Sequence, residues 1–202
     1  MQCQSHGHMP GSLGRLSCVP VAPFAIRSFG DPVLKQPCRE ITDIDDAVVR
    51  LASGMIETMY AAPGVGLAAN QVGVQKRMFV YDVGDDTGPH TVINPVIVEA
   101  SGDWGYTEGC LSVPELFWEI HRPMQVHLTG VGLDGEELSI EGEELLGRVF
   151  QHEVDHLDGI LLLERLAPSD RKQAMRELRQ RALSEPAVAN GAAARGVAAR
   201  GG

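Results

Sequence analysis

The sequence has no apolar run that approaches the roughly 20 residues of a membrane-spanning helix. Its first twenty residues lack a continuous apolar segment behind a basic start, so no secretory signal is expected; Arg15, with no acidic residue nearby, leaves only a weak organelle-targeting signal open. The four cysteines are irregularly spaced and do not indicate a disulfide framework. Basic residues are in the minority, and the net charge of −10 argues against a nucleic-acid binder. We therefore expect a cytoplasmic protein that contacts neither membranes nor DNA.

The composition is that of an ordinary globular domain, with 44% hydrophobic and 22% charged residues in a chain of 202. This length suits one domain with a proper core. Every periodic segment falls between residues 21 and 183, which we expect to form the catalytic domain. We expect residues 1–20 to form a loose leader. Residues 184–202 are rich in Ala and Gly and poor in large apolar side chains, which predicts a disordered tail.

Apolar periodicity predicts three helices and four strands. The first helix is capped by Asp43 or Asp45 and ends at Pro63-Gly64. The second begins near residues 141–143 and ends at Gly159, and the third covers 169–183. The strands are expected at 78–83, 91–98, 126–133 and 137–140, the last two joined by the hairpin turn Asp134-Gly135. Strands and helices that are segregated along the chain predict an α+β fold, with small mixed or antiparallel sheets packed around the second helix.

The second helix carries the motif H-E-x-x-H as His152, Glu153 and His156. Residues four apart on a helix share one face, so the two imidazoles can bind one metal ion while the glutamate reaches a water on it. A catalytic metal site needs a third protein ligand and an open position. Cys110 has the best context for that ligand, because Gly109 permits close approach of the backbone; the alternative is a buried cysteine that acts as a small hydrophobe.

A third segment of interest, G-V-G-L-A-A-N-Q at residues 64–71, follows the first helix. Gln71 has amide donors that can stabilise a developing oxyanion. The alternative is a helix-terminating turn with an exposed glutamine.

Together with E-G-C-L-S at 108–112 and Q-H-E-V-D-H-L-D-G at 151–159, this segment resembles the three signature motifs of peptide deformylases, in order and in spacing. The resemblance extends from about Ile26 to Leu166. It implies that Cys110, His152 and His156 hold one divalent metal, usually Fe²⁺, with Zn²⁺, Ni²⁺ or Co²⁺ tolerated. It also implies that Glu153 is the catalytic glutamate and that Gln71 and the Leu111 backbone N–H bind the oxyanion. The implied substrate is N-formyl-methionine at the start of a nascent protein, and the products are formate and a free amine.

These residue types fit that chemistry. A divalent cation lowers the pKa of bound water and provides hydroxide near neutral pH. Glu153 would act as general base and then as general acid. We expect Val65, Gly66, Leu67 and Gly109 to contact the substrate, with an apolar methionine pocket formed by Val65, Leu67 and helix residues 150–157.

One position departs from the family pattern, in which many bacterial members have an arginine seven residues after the motif cysteine. This chain has Phe117 there, with Arg122 nearby, so the sequence leaves peptide preference beyond the first residue open. Two alternative functions remain: a zinc protease with Glu164 as third ligand, and a metal-stabilised binding module without catalysis. The third helix, 169–183, has five basic and two acidic residues in an acidic chain, which indicates a docking element for ribosomal RNA or an ordinary solvated helix.

Overall fold

The computed structural model describes residues 24–184, and every structural statement below concerns that part of the chain. The expectations for residues 1–20 and for the tail beyond Ser184 lie outside it. The helices are α1 (Asp46–Ala61), α2 (Glu144–Leu157) and α3 (Pro168–Ser184). The strands are β1 (Gly66–Ala68), β2 (Met78–Tyr81), β3 (His90–Ser101), β4 (Trp104–Cys110), β5 (Val113–Arg122), β6 (Gln125–Val131) and β7 (Glu137–Glu143). No helix in this range is both long and apolar enough to cross a bilayer.

The strands form two antiparallel sheets. Five strands make one sheet in the order β1-β2-β3-β6-β7, and β4 and β5 form a separate hairpin. Every paired strand is antiparallel to its neighbour. The α+β class is confirmed, with α2 as the central helix.

The five-stranded sheet is covered on both faces. On β2, Met78 and Val80 pack with α1, while Phe79 and Tyr81 pack with α2, so all four residues are buried. This explains why β2 is a continuous apolar run, as expected for a strand that is covered on both faces. A third apolar cluster joins the β4–β5 hairpin to the segment that leads into α3, where Ala174 is fully buried.

The start of α1 is set by a local capping residue, whereas the start of α2 is set by strand pairing with β6. Asp45 caps α1 by accepting a hydrogen bond from the Val48 backbone N–H at 2.9 Å, so of the two expected caps it is Asp45 that acts. The second helix was expected to begin near residues 141–143, which is wrong. Those residues continue β7, because they pair with β6 as far as Gln125 opposite Glu143. Strand pairing with an existing neighbour therefore delays the start of the helix to Glu144.

Three strands were not predicted. One is the short edge strand β1, and the other two, β4 and β5, form the hairpin that carries Cys110. Gly105, Gly109 and Pro114 lie within this hairpin, and glycine and proline inside a run lower its strand propensity. The hairpin is formed by cross-strand pairing from Trp104 opposite Arg122 to Cys110 opposite Val113.

Candidate metal centre and its cavity

Three side chains that can bind a metal converge between α2 and the end of β4. The ligand atoms of Cys110, His152 and His156 all lie within 4.8 Å of one another. The histidines are one turn apart on α2, and their rings are 5.0 Å apart between centroids. Cys110 is the last residue of β4, and its Sγ lies 3.2 Å from Nε2 of His156. The expected juxtaposition of the three residues is therefore present.

The geometry and the chemistry of these three groups fit a metal. In a tetrahedral site with ordinary metal–sulfur and metal–nitrogen bonds, a ligand sulfur and a ligand nitrogen are about 3.6 Å apart. The 3.2 Å between Cys110 Sγ and His156 Nε2 is close to this separation. Burial alone would raise the pKa of the Cys110 thiol, but His156 and His152 lower it well below its usual range. The environment thus favours the thiolate, which is the form that binds metals.

Glu153 lies beside these ligands and is almost completely buried. Its Oε2 has no hydrogen-bond partner among the described residues, which is unusual for a buried carboxyl oxygen. Burial raises the pKa of Glu153 to about 7, although His152 and His156 oppose the shift. Gly66 of β1 makes room for this side chain, because a Cβ at residue 66 would collide with Oε1 of Glu153.

Gln71 is buried against the same centre. It lies in a short 3-10 helix, Ala69–Val72, that follows β1, and it is only 1% exposed, so the alternative of an exposed glutamine is wrong. Its Oε1 accepts a hydrogen bond from the Ala68 backbone N–H at 2.9 Å. This bond orients Nε2, which lies 3.8 Å from Cys110 Sγ and 3.2 Å from the hydroxyl of Ser112. Leu111 forms the turn between β4 and β5 and lines the same cavity.

Glu108 is an important site residue that sequence reasoning missed. Its carboxylate accepts hydrogen bonds from Nδ1 of His152 at 3.1 Å, from Nε of Arg122 at 2.7 Å and from Arg148. Burial would raise its pKa, but His152 and Arg122 lower it to about 2, so the group is charged. A carboxylate on Nδ1 fixes the tautomer that leaves Nε2 of His152 as the ligand atom. The signal was available, since Glu108 lies two residues before Cys110 in the quoted motif.

The charged network continues away from the site. Arg122 also donates to Asp155 at 2.7 Å, and Asp155 accepts a further hydrogen bond from Arg165 at 2.9 Å. Arg122 and Asp155 are both buried, so each needs its partner to offset the cost of desolvation. Arg148, one turn before His152, stacks its guanidinium over the Trp104 ring at 4.8 Å. These contacts bind α2 to the β4–β5 hairpin and hence the histidines to Cys110.

A cavity of about 690 Å³ opens onto this centre, a volume typical of ligand sites. Val65, Gly66 and Gly109 line it as expected, but Leu67 does not, because it is fully buried in the core beneath α1. The expectation that residues 150–157 form the pocket wall needs correction. Only His152 and Glu153 of that range line the cavity, and its apolar wall on α2 comes from an earlier turn. That wall consists of Leu145 and Val149.

Helical periodicity explains this correction. Phe150, Val154 and Leu157 occupy the face of α2 that packs against the five-stranded sheet. His152 points away from that face and towards the hairpin, where it contacts Glu108, whereas Glu153 lies at the edge of the sheet against Gly66 of β1. Phe117 is 65% exposed and lines the cavity. Arg122 is buried in the charged network and does not line it.

The comparisons with known proteins agree with this geometry. The family model described as polypeptide deformylase matches residues 23–172. The chain belongs to this family. A peptide deformylase of Agathobacter rectalis is 51% identical over 141 residues, which are 70% of this chain and 88% of that protein. The peptide deformylase structure from Thermotoga maritima has a TM-score of 0.70 and 45% identity, over 73% of this chain and 100% of that one. The structure from Ehrlichia chaffeensis in complex with actinonin has a TM-score of 0.76 and 35% identity, over 80% and 98%.

Family membership confirms the predicted activity: the protein is a hydrolase that removes the N-formyl group from nascent polypeptides. It also confirms that this deformylase depends on a metal. The alternative of a zinc protease is wrong, as is that of a binding module without catalysis. Glu164, the ligand that a protease would have needed, instead pairs with Lys35 and accepts a hydrogen bond from the Leu161 backbone N–H.

Proposed function

We propose that Cys110, His152 and His156 hold the catalytic metal of this deformylase and that Glu153 moves the protons of the reaction. The observation that carries the proposal is the buried Glu153 carboxyl, which has a free oxygen beside the three ligand side chains. A divalent cation held there supplies Lewis acidity, which lowers the pKa of a nearby water. We propose Fe²⁺, the ion that the family resemblance implies, as the working ion; Zn²⁺, Ni²⁺ or Co²⁺ would serve as substitutes, because imidazole and thiolate suit all of them.

Glu153 takes one proton from the water that attacks the formyl carbon, and it returns one to the departing nitrogen. The new C–O bond and the broken C–N bond give formate and a free N-terminal amine. Nε2 of Gln71, oriented by the Ala68 contact, and the backbone N–H of Leu111 face the oxygen that becomes negative.

We propose that the peptide enters in an extended conformation between two strand edges. Within residues 24–184, β1 ends the five-stranded sheet and β4 pairs only with β5, so each has one edge without a strand partner. Val65 and Gly66 on one side and Gly109 on the other border the cavity, and main-chain hydrogen bonds there would hold a peptide of any sequence. Leu145 and Val149 then form the apolar wall for the methionine side chain.

Formate release tests this assignment. Protein purified without oxygen and loaded with Fe²⁺ should contain one metal per chain and release formate from a formyl-Met-Ala-Ser peptide. The same protein should not cleave an internal peptide bond of a casein substrate. Iron-loaded protein should lose activity in air faster than nickel-loaded protein, because a thiolate-ligated ferrous centre is readily oxidised. Equal half-lives in air would contradict the assignment of iron.

We propose that the enzyme works in the cytoplasm and that α3 docks on ribosomal RNA. Four basic residues of α3 line one groove, whose floor is formed by Met175, Leu166 and Pro168. These basic residues are Arg171, Lys172, Arg176 and Arg179. Phosphate contacts by such a cluster would release counterions, so binding should weaken as salt rises.

Charge reversal is a sharper test of docking than truncation. Removal of α3 would strip Ala174 from the cluster that contains Cys110, and the catalytic centre would then be damaged as well. A triple variant, Arg171→Glu with Arg176→Glu and Arg179→Glu, should lose salt-sensitive co-sedimentation with ribosomes and keep turnover of a short formyl peptide. Arg50→Glu on the exposed side of α1 is the matched control. Co-sedimentation of the triple variant at the parent's level would exclude this helix as the docking element.

A further inference from the structure

Three of the large hydrophobic side chains that are exposed in the described chain line the cavity that Cys110 and His152 also line. Val65 is 43% exposed, Tyr106 is 42% and Phe117 is 65%. An aromatic ring that exposes this much surface at the mouth of an active site is in position to contact a substrate. The inference that follows rests on the proposed function, because it concerns the peptide in that cavity.

The two faces of the β4–β5 hairpin differ in character. Tyr106 and Glu108 of β4 point towards α2, since both contact Arg148 on that helix. Thr107 and Gly109 alternate with them and point to the outer face, as successive strand residues do. Gly109 pairs with Phe117 across the hairpin, so the side chain of Phe117 also lies on the outer face.

Gly109 allows the Phe117 ring to lie over the strand edge. A Cβ at residue 109 would be 2.6 Å from the nearest ring carbon, so any other residue there would displace the ring. The ring therefore covers the backbone at the position immediately before the Cys110 ligand. A peptide bound along the free edge of β4 would pass directly beside it.

Successive side chains of an extended peptide point to opposite faces, and this alternation determines which residue of the peptide contacts the Phe117 ring. The side chain of the first residue lies on the α2 face, where Leu145 and Val149 form the apolar wall. The second side chain must then point to the outer face. We propose that Phe117 forms the contact surface for the second residue of the formyl peptide and selects apolar and aromatic side chains there.

The charges on the outer face also affect which second residues are selected, because they disfavour acidic side chains. Glu119 lies two residues from Phe117 on the same face, and its side chain is 72% exposed. Arg148 is the only Arg or Lys among the described residues that line the cavity, and it is buried and occupied by Glu108 and the Trp104 backbone carbonyl. An acidic second residue would thus find no free cation in the cavity and would lie on the same face of the hairpin as the Glu119 carboxylate. An arginine at residue 117 would reverse this preference.

Four formyl-Met-X-Ser amides, with X as Phe, Leu, Ala or Asp, test the inference by competition in one reaction. Ratios of kcat/KM within one enzyme sample cancel differences in metal loading. For the parent we expect Phe and Leu to exceed Ala by roughly threefold to tenfold, and Asp to fall below Ala. Phe117→Ala should bring the Phe-to-Ala ratio close to one. Phe117→Arg should raise the Asp-to-Ala ratio above one.

Val98→Ala, an exposed apolar residue of β3 that does not line the cavity, is the control and should keep the parent's ratios. Phe117 is largely exposed, so its replacement should leave folding unaffected. Turnover of all four peptides at equal kcat/KM by the parent, or parental ratios in Phe117→Ala, would overturn the inference alone. Turnover of none of them by metal-loaded parent enzyme would overturn the proposed function and this inference with it.

Discussion

Glu108→Gln tests whether the buried carboxylate holds the metal-binding helix to the hairpin. The change keeps the shape of the side chain and removes its charge. Arg122, Arg148 and His152 all donate to this carboxylate, and an amide NH₂ would turn two donor hydrogens towards them. Loss of one partner of a buried ion pair costs about 3–5 kcal/mol. Since the glutamine keeps one acceptor oxygen, we expect the lower end of this range, a free energy of unfolding lower by about 3 kcal/mol.

The same change should weaken metal binding. Without a carboxylate on Nδ1, His152 loses the contact that fixes its tautomer and ring orientation, which should reduce metal affinity roughly 10- to 100-fold. Urea unfolding of chelator-treated protein, followed by far-UV circular dichroism, measures the stability term without metal. Competition with a chromophoric chelator measures the affinity term separately.

Glu119→Gln is the matched control, because it removes the same charge from an exposed side chain of the same hairpin. It should change the free energy of unfolding by no more than about 0.5 kcal/mol. If Glu108→Gln unfolded within about 1 kcal/mol of the parent and bound metal with the parent's affinity, Glu108 would have no part in positioning His152. The Arg122 and Arg148 contacts would then need another explanation.

Three further substitutions test the centre itself. Cys110→Ala should leave less than one equivalent of tightly bound metal by elemental analysis, because one of three protein ligands is gone. Glu153→Gln should keep metal and fold but lower kcat by roughly 10²–10⁴-fold; a kcat within about threefold of the parent's would identify a different proton carrier. Gly66→Ala should displace the Glu153 carboxyl and lower kcat while metal content is unchanged, and a crystal structure with Glu153 undisturbed would contradict that reason.

The features that sequence reasoning predicted depend on neighbours close in the chain. α1 and α2 follow from apolar residues at helical spacing, and the pairing of His152 with His156 follows from one helical turn. The hairpin between β6 and β7 formed as expected, but its loop is longer than the two-residue turn predicted at Asp134-Gly135: residues 132–136 join the strands, and the Gly135 backbone N–H donates to the Gly132 carbonyl, with Gly135 in the left-handed region at φ 84°. In each case the signal lies within a few residues of the structure that it specifies.

The features that it missed depend on residues far apart in the chain. Glu108 and Arg122 are 14 residues apart, and Arg122 and Asp155 are 33 apart. Glutamate, arginine and aspartate side chains usually lie on the surface. Only the packing of the hairpin on α2 buries these three together. The start of α2 was misplaced for the same reason, since residues 141–143 find a strand partner in β6.

The centre itself depends on three separate packing arrangements. The packing of the apolar face of α2 on the sheet fixes the positions of the two histidines. Gln71 is positioned by the segment that follows β1, which packs beneath α1. Cys110 belongs to the third cluster, in which the hairpin packs against Leu162, Leu163 and Ala174. The start of α3 therefore helps to position the proposed metal ligand Cys110, because it buries the apolar side of the strand that ends there. A helix that docks on a ribosome through its basic side would thus be anchored, through its opposite side, to the strand that supplies the thiolate.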